Sequence, residues 1–263
     1  MQEIHGDDRR AVLRSLLGDE DAPGDQVGWQ LAEQEVGHAF VVDDGDAAVV
    51  VTHRFAVLYG EPRPSIGGFL DANIFVGTLQ GALARTDVRP AVQGVTESDL
   101  TPNVRVLLAS DRVRPFETFP VDTLRLRRVT ADLDPLVRES IGWWVFEMWV
   151  HPSDAPHTIC ALAEDGQLIA HGGSYAVSPQ FVEIAAWIDP IGAGAGLIAS
   201  GSQYVLNEVL ESGRLISSTI LVTNQSARRF AAGAGWLTVG ETPVVSFAAP
   251  APGSARAQLL RVQ

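Results

Sequence analysis

Phe181-Val182-Glu183-Ile184-Ala185-Ala186-Trp187-Ile188 reads as a strand, and Asp189-Pro190-Ile191-Gly192-Ala193-Gly194-Ala195-Gly196-Leu197 leads from it into a helical pattern over about 197–212. A strand that feeds a glycine-rich loop and then a helix is suited to holding an anion. Alternating glycines let the backbone approach a ligand closely. The free N–H groups of the helix's first turn, with its dipole, favour negative charge there. A pyrophosphate fits such a loop chemically.

Working outward, three strand-like runs precede the loop or lead into it: Thr158–Ala163, Leu168–Val177 and Phe181–Ile188. The first two are joined by the turn Glu164-Asp165-Gly166-Gln167. Beyond the helix come a strand over Leu215–Val222, a helix over about 225–233, and a strand pair over Leu237–Val239 and Val244–Ala248. On the N-terminal side, Thr123–Val129 reads as an exposed strand, and Asp134-Pro135 opens a helical stretch towards 150. Further upstream, a short helix carries Val12, Leu13, Leu16 and Leu17. Strands then run over Phe40–Val42, Ala47–Thr52 and Phe55–Tyr59, the first two joined by Asp43-Asp44-Gly45-Asp46. A weak helical pattern covers 69–84, and a short strand covers Val104–Ala109. No internal repeat stands out. Two α/β units result, 1–120 and 121–263.

The residues of the loop leave three readings open. A dinucleotide site matches Gly194-x-Gly196-x-x-Ala199, but Asp189-Pro190-Ile191 intrudes between strand and loop. The next strand also ends in Thr223-Asn224 rather than in an acid for a ribose. A purely structural turn is the second reading, and a coenzyme A loop the third. More than the loop bears on the third. The segment Ile188 to Leu197 resembles the Val-x-Pro-x-x-Arg-Gly-x-Gly-Leu loop of the GNAT superfamily of N-acetyltransferases. Downstream, Asn224-Gln225-Ser226-Ala227-Arg228-Arg229-Phe230-Ala231-Ala232-Gly233-Ala234-Gly235-Trp236 resembles that family's Asn-x-x-Ala-x-x-Phe-Tyr-x-x-x-Gly-Phe block. Both blocks occur in order, with a helix and a strand between them, and the likeness spans about 122–248.

The resemblance implies an α/β (α+β) fold: a mixed, splayed β-sheet flanked by helices. Acetyl-CoA is the implied co-substrate, lying in the wedge between strands 181–188 and 215–222. It implies pantetheine pairing with the backbone of Trp187 and Ile188. It also implies a pyrophosphate cradle from the N–H groups of Ala193, Gly194, Ala195, Gly196, Leu197 and Ile198, with Asn224 near the pantetheine arm. The reaction implied is transfer of an acetyl group to a primary amine by direct attack in a ternary complex. Glu183 lies where family members carry a general base, and Trp143, Trp144 and Glu147 lie where they form the acceptor wall. Tyr175, His171 and His157 are further proton-transfer candidates. The chain departs from the pattern at Ala193, where the family has Arg or Gln, at Ile198, where it has Gly or Ala, and at Ala231, where many members have the tyrosine that protonates the departing thiolate. The alternative is a non-catalytic acyl-CoA-binding or regulatory module. The first 120 residues read as a smaller α/β unit. It is either a diverged copy of the same fold, a lid over the acceptor site or a homodimer surface.

Composition narrows the field. All 19 basic residues are arginine, so a Walker-type loop and a Schiff-base lysine are excluded. The net charge is −13, with −9 carried by residues 1–120 and −4 by the rest. Phosphate backbones are repelled, so nucleic acid is not an expected partner, whereas a small or peptide amine is. The histidines show neither His-x-x-x-His nor His-Glu-x-x-His spacing, and no metal is expected. The single cysteine, Cys160, sits in a strand pattern and reads as a small buried apolar residue. No apolar run reaches the ~20 residues that span a bilayer. The first apolar stretch is broken by Arg14, so a cytoplasmic protein is expected.

Overall fold

The computed structural model describes residues 1–18, 21–52, 55–61, 63–72, 81–84, 100–110, 125–141, 152–189 and 197–247. The first half contains β1 (Gln2–Ile4), α1 (Gly6–Leu17), α2 (Gln26–Glu33), β2 (His38–Val41), β3 (Ala47–Val51), β4 (Phe55–Gly60), α3 (Pro64–Ala72), β5 (Gly81–Ala84) and β6 (Leu100–Ser110). The second contains β7 (Arg125–Arg128), α4 (Asp134–Ile141), β8 (Ile159–Leu162), β9 (Leu168–Val177), β10 (Phe181–Ile188), α5 (Leu197–Glu211), β11 (Leu215–Leu221), α6 (Gln225–Gly233) and β12 (Leu237–Phe247).

All twelve strands join one mixed sheet in the order β1-β2-β3-β4-β5-β12-β6-β11-β10-β9-β8-β7. Adding six to the number of each strand of the first half, and subtracting six in the second, turns this order into its own reverse. The parallel pairings obey the same rule. They are β4 with β5 and β10 with β11, and every other pairing is antiparallel. The sheet therefore has a pseudo-twofold centre at the β6–β12 pair. Strand β6 comes from residues before 121 and sits between β11 and β12.

The two halves also share turn hydrogen bonds. In the β2–β3 turn, Gly45 N donates to Val42 O (2.9 Å) and Asp46 N to Asp44 Oδ1 (3.3 Å). In the β8–β9 turn, Gly166 N donates to Ala163 O (3.0 Å) and Gln167 N to Asp165 Oδ1 (3.0 Å). Both glycines have positive φ, +79° and +87°, which side chains with a Cβ rarely adopt. Before β4, Thr52 N donates to Phe55 O (2.8 Å), and Phe55 N to Thr52 Oγ1 (3.1 Å). Before β10, Ser178 N donates to Phe181 O (2.9 Å), and Phe181 N to Ser178 Oγ (3.2 Å).

Helices cover both faces. On one face, Leu13 and Leu17 of α1, Val27 and Leu31 of α2 and Val137 of α4 share one apolar cluster with Val50, Tyr59, Cys160, Leu162, Tyr175 and Ala176. On the other, Val205, Leu206 and Val209 of α5 and Ala231 of α6 pack on Val182, Ile184 and Ile216. The first cluster draws on both halves of the chain, so burial of apolar surface binds them together.

Three sequence expectations change. The helical pattern over 69–84 divides into the end of α3 and the strand β5. Residues 237–247 form one strand rather than a pair, because β6 is long enough to pair along all of it, with a register shift between Thr238 and Gly240. Pro243 is tolerated there because β5 reaches only Val245 and Ser246 on the opposite side. Finally, α2 and β1 were not anticipated at all.

Candidate active site

Strands β10 and β11 pair in parallel only from Phe181–Leu215 to Glu183–Ser217. Past that point β10 continues to Ile188 against β9, and β11 continues to Leu221 against β6. The two strands therefore fork, and the edge of β10 from Ala185 to Ile188 that faces β11 has no partner strand among the described residues. In the first half, β4 and β5 stay paired from Phe55–Gly81 through Leu58–Ala84, nearly to the end of β4 at Gly60.

Glu183 is the last paired residue at the root of the fork. Its side chain is 2% exposed and lies on the face covered by α1, α2 and α4, since its register partner Ala176 belongs to that cluster. Its Oε1 accepts a hydrogen bond from Thr219 Oγ1 at 2.5 Å. That bond crosses from β10 to β11 beyond the last paired residues. Next to it, Ser218 Oγ donates to Ile184 O at 3.1 Å. Ser217, opposite Glu183, is 1% exposed, and its hydroxyl has no hydrogen-bond partner among the described residues. A buried carboxylate needs donors to remain charged. Thr219 provides one, and sequence reasoning missed it because a threonine in a strand gives no signal until the register is known.

Tyr175 is brought to the same face. Between Glu183–Ala176 and Ile184–Ser174 the ladder slips, so Tyr175 is the extra residue of a β-bulge and joins the cluster that contains Ala176. The free N–H of Val177 beside the bulge donates to Gln30 Oε1 of α2 (3.2 Å). Trp187 packs against the same cluster, and Ile188 packs on the opposite face with Ile169.

His171 lies between Trp187 and Cys160 in the register and is buried. Burial pushes its pKa down to about 3, so it is neutral near pH 7 and does not take up a proton there. Burial likewise raises the Cys160 thiol to about 11, which makes it a poor nucleophile. His157 belongs to the other face, where its Nδ1 lies 3.5 Å from Glu208 of α5. Glu208 also pairs with Arg128, whose guanidinium donates to Tyr204 Oη as well. Asn224 caps α6, its Oδ1 accepting from Ala227 N at 3.2 Å. Ala231 is buried against Ile216 and Trp236, so a methyl group occupies the position where the resemblance implies a phenol. Arg228 donates to Val222 O and is otherwise exposed. Leu197 and Ile198 form the start of α5. Ala193, Gly194, Ala195, Gly196, Trp143, Trp144 and Glu147 lie outside the described residues. Among the described residues no cluster of His, Cys, Asp and Glu is arranged to hold a metal ion, and no helix is long and apolar enough to cross a membrane.

The sequence matches no family model and no curated protein. Solved structures are another matter. A GCN5-related N-acetyltransferase-like protein from Streptococcus suis superposes with a TM-score of 0.68 at 14% identity, over 91% of this chain and 98% of its own. A GCN5-related N-acetyltransferase from Kribbella flavida gives 0.56 at 16% identity, over 90% and 99%. An acetyltransferase of the GNAT family from Colwellia psychrerythraea gives 0.50 at 12% identity, over 94% and 98%. The chain has the GNAT fold. Coverage of about nine-tenths carries the likeness across both halves, wider than the 122–248 that the motifs marked. The forked parallel pair of β10 and β11 is where this GNAT fold opens.

Proposed function

We propose that this protein is an acetyl-CoA-dependent N-acyltransferase acting on a primary amine, with its site in the second half of the chain. The observation that carries the reading is the fork between β10 and β11 with a buried carboxylate at its root. An unpaired strand edge offers backbone N–H and C=O groups to the amides of an extended ligand. On this reading Trp187 and Ile188 supply those groups. The N–H groups from Ala193 to Ile198 hold the pyrophosphate at the start of α5, and Asn224 lies near the pantetheine arm. When bound, acetyl-CoA supplies the activated acyl group.

The chain's own residues do the rest. The fork fixes the direction of approach, so proximity contributes much of the rate. Glu183 accepts a proton of the incoming ammonium, directly or through a water, the freed nitrogen lone pair attacks the thioester carbonyl, and the C–S bond breaks with the thiolate as leaving group. Tyr175 stands on the same face as a second proton-transfer group, and Trp143, Trp144 and Glu147 form the acceptor side. Residues 1–120 serve as a structural counterpart that completes the sheet. The residue at 231 favours one other reading, a binding module without turnover, because a buried alanine stands at the position where the resemblance implies the phenol that protonates a leaving thiolate.

Titration with acetyl-CoA followed by thiol release on a panel of amines tests both. Binding with turnover on at least one amine is the expected result. In that case Glu183→Gln lowers kcat about a hundredfold or more while coenzyme affinity stays within about twofold. Binding without any turnover selects the module, and absence of binding removes both readings.

A further inference from the structure

The pseudo-twofold gives each position in one half a counterpart in the other, and so supplies an internal control. The matched turns Thr52–Phe55 and Ser178–Phe181 align Phe55 with Phe181 and therefore Val57 with Glu183. The parallel registers then align Leu83, opposite Val57, with Ser217, opposite Glu183. One fold thus carries the pair Val–Leu where the parallel ladder runs on to Leu58–Ala84, and the pair Glu–Ser at the last paired position of a ladder that forks.

The fold does not require polar groups there. Val57 is 5% exposed and sits in the core, as an inward position of a strand ordinarily does. A buried carboxylate and a buried hydroxyl without a partner each cost stability relative to apolar side chains of similar size. A third polar group, Thr219, spans the fork to hold the carboxylate. Groups that cost stability and gather at one opening are retained for what they do rather than for folding.

We propose that Ser217 and Thr219 complete the proton-transfer site around Glu183: Thr219 fixes the carboxylate through Oε1, and Ser217 offers a second hydrogen bond to the amine or water that gives up its proton. This rests on the reading of Glu183 as the proton acceptor. The proton passes from nitrogen to the Glu183 carboxylate, directly or by way of that water, and the nitrogen lone pair it leaves behind forms the new C–N bond as the thioester C–S bond breaks. The coenzyme leaves as a thiolate and takes up the second proton shed by the nitrogen. Thr219 is a positioning residue, since it acts through Glu183.

Two measurements on the full-length chain test this. The double variant Glu183→Val with Ser217→Ala is close to volume-conserving and removes the polar pair. It is expected to raise Tm by a few degrees while abolishing turnover. A lower or unchanged Tm shows that the pair serves folding and overturns the inference, whether or not the wild type has activity. The second measurement uses Thr219→Val and Thr219→Ser. Loss of the donated hydrogen bond disfavours the carboxylate. Thr219→Val is therefore expected to move the acid limb of the kcat/KM profile to higher pH and to lower kcat about tenfold or more, with KM for acetyl-CoA unchanged. Thr219→Ser is expected to restore both. A Thr219→Val profile identical to wild type in an active enzyme overturns the positioning role. A wild type that binds but never turns over refutes the acyltransferase reading itself, and the Tm comparison still decides whether the pair is held against stability.

Discussion

His171 is a core residue with a consequence for pH. It lies 3% exposed between Cys160 and Trp187, and burial lowers its pKa to about 3, against an ordinary value of 6.5. The unfolded chain therefore binds a proton at this group between about pH 6.5 and pH 3 that the folded chain does not. Stability contributed by the neutral imidazole is present above pH 6.5 and is lost as pH falls through that window, by up to about 1.4 kcal/mol per pH unit. His171→Leu is expected to flatten the fall in stability between pH 6.5 and pH 4, measured as the difference from wild type by urea unfolding. Equal slopes in the two proteins show that the imidazole does not carry it. Its burial was not legible in the sequence, where a histidine in a strand beside glycines reads as readily as a proton-transfer group. Glu183 was legible as a candidate because the family pattern points to its strand. Its donor Thr219 was not, since only the register connects the two.

Strands were legible where a short apolar run lies between turn signals, as in β3, β4 and β8, whose residues are buried on both faces of the sheet. The helix α2 was not, because two of its inward positions are polar. Gln26 and Gln30 are both buried, the first bonded to Ala22 O and Gly24 N, the second to Val177 N. Glutamines at core positions break the apolar stripe by which a helix is recognised. The same helix depends on a third buried polar residue. Arg9 of α1 donates to Leu31 O in the last turn of α2, where carbonyls lack helical partners and the dipole is negative, and to Val36 O and Gly37 O in the segment that follows the helix. Burial lowers the Arg9 pKa, so these bonds are made at a desolvation cost. Replacing the guanidinium by an apolar chain leaves three carbonyls without a donor. Arg9→Met is expected to destabilise the protein by about 2–4 kcal/mol in denaturant unfolding. Since α2 packs on β9 and holds the bulge beside Tyr175, acetyl-CoA affinity is expected to fall with it. A loss below about 0.5 kcal/mol shows that water satisfies those carbonyls.

At the scale of the whole molecule, the repeat was the least legible feature. Turn signals recur at Asp44-Gly45 and Asp165-Gly166, and a hydroxyl precedes Phe55 and Phe181 by three residues, but such short matches are common by chance. Only the sheet order makes them a repeat. That order also means that neither half can close its own sheet. Strand β6 belongs to the first half, and of its two neighbours, β11 and β12, both belong to the second. Strand β12 belongs to the second half, and its neighbours β5 and β6 both belong to the first. Residues 121–263 alone leave the long edges of β11 and β12 open, and open edges pair with other chains. Expressed alone, that fragment is expected to aggregate, although it contains both sequence blocks of the site. Coexpressed as separate chains, 1–120 and 121–263 are expected to purify as a one-to-one complex. In that complex the β5–β12–β6–β11 ladder reforms and acetyl-CoA binds with an affinity close to that of the intact protein. Size-exclusion chromatography and calorimetric titration read out both expectations. A soluble, monomeric 121–263 fragment that binds acetyl-CoA as the whole chain does would mean that the exchanged strand is dispensable to the fork, and that β11 and β12 close on each other without it.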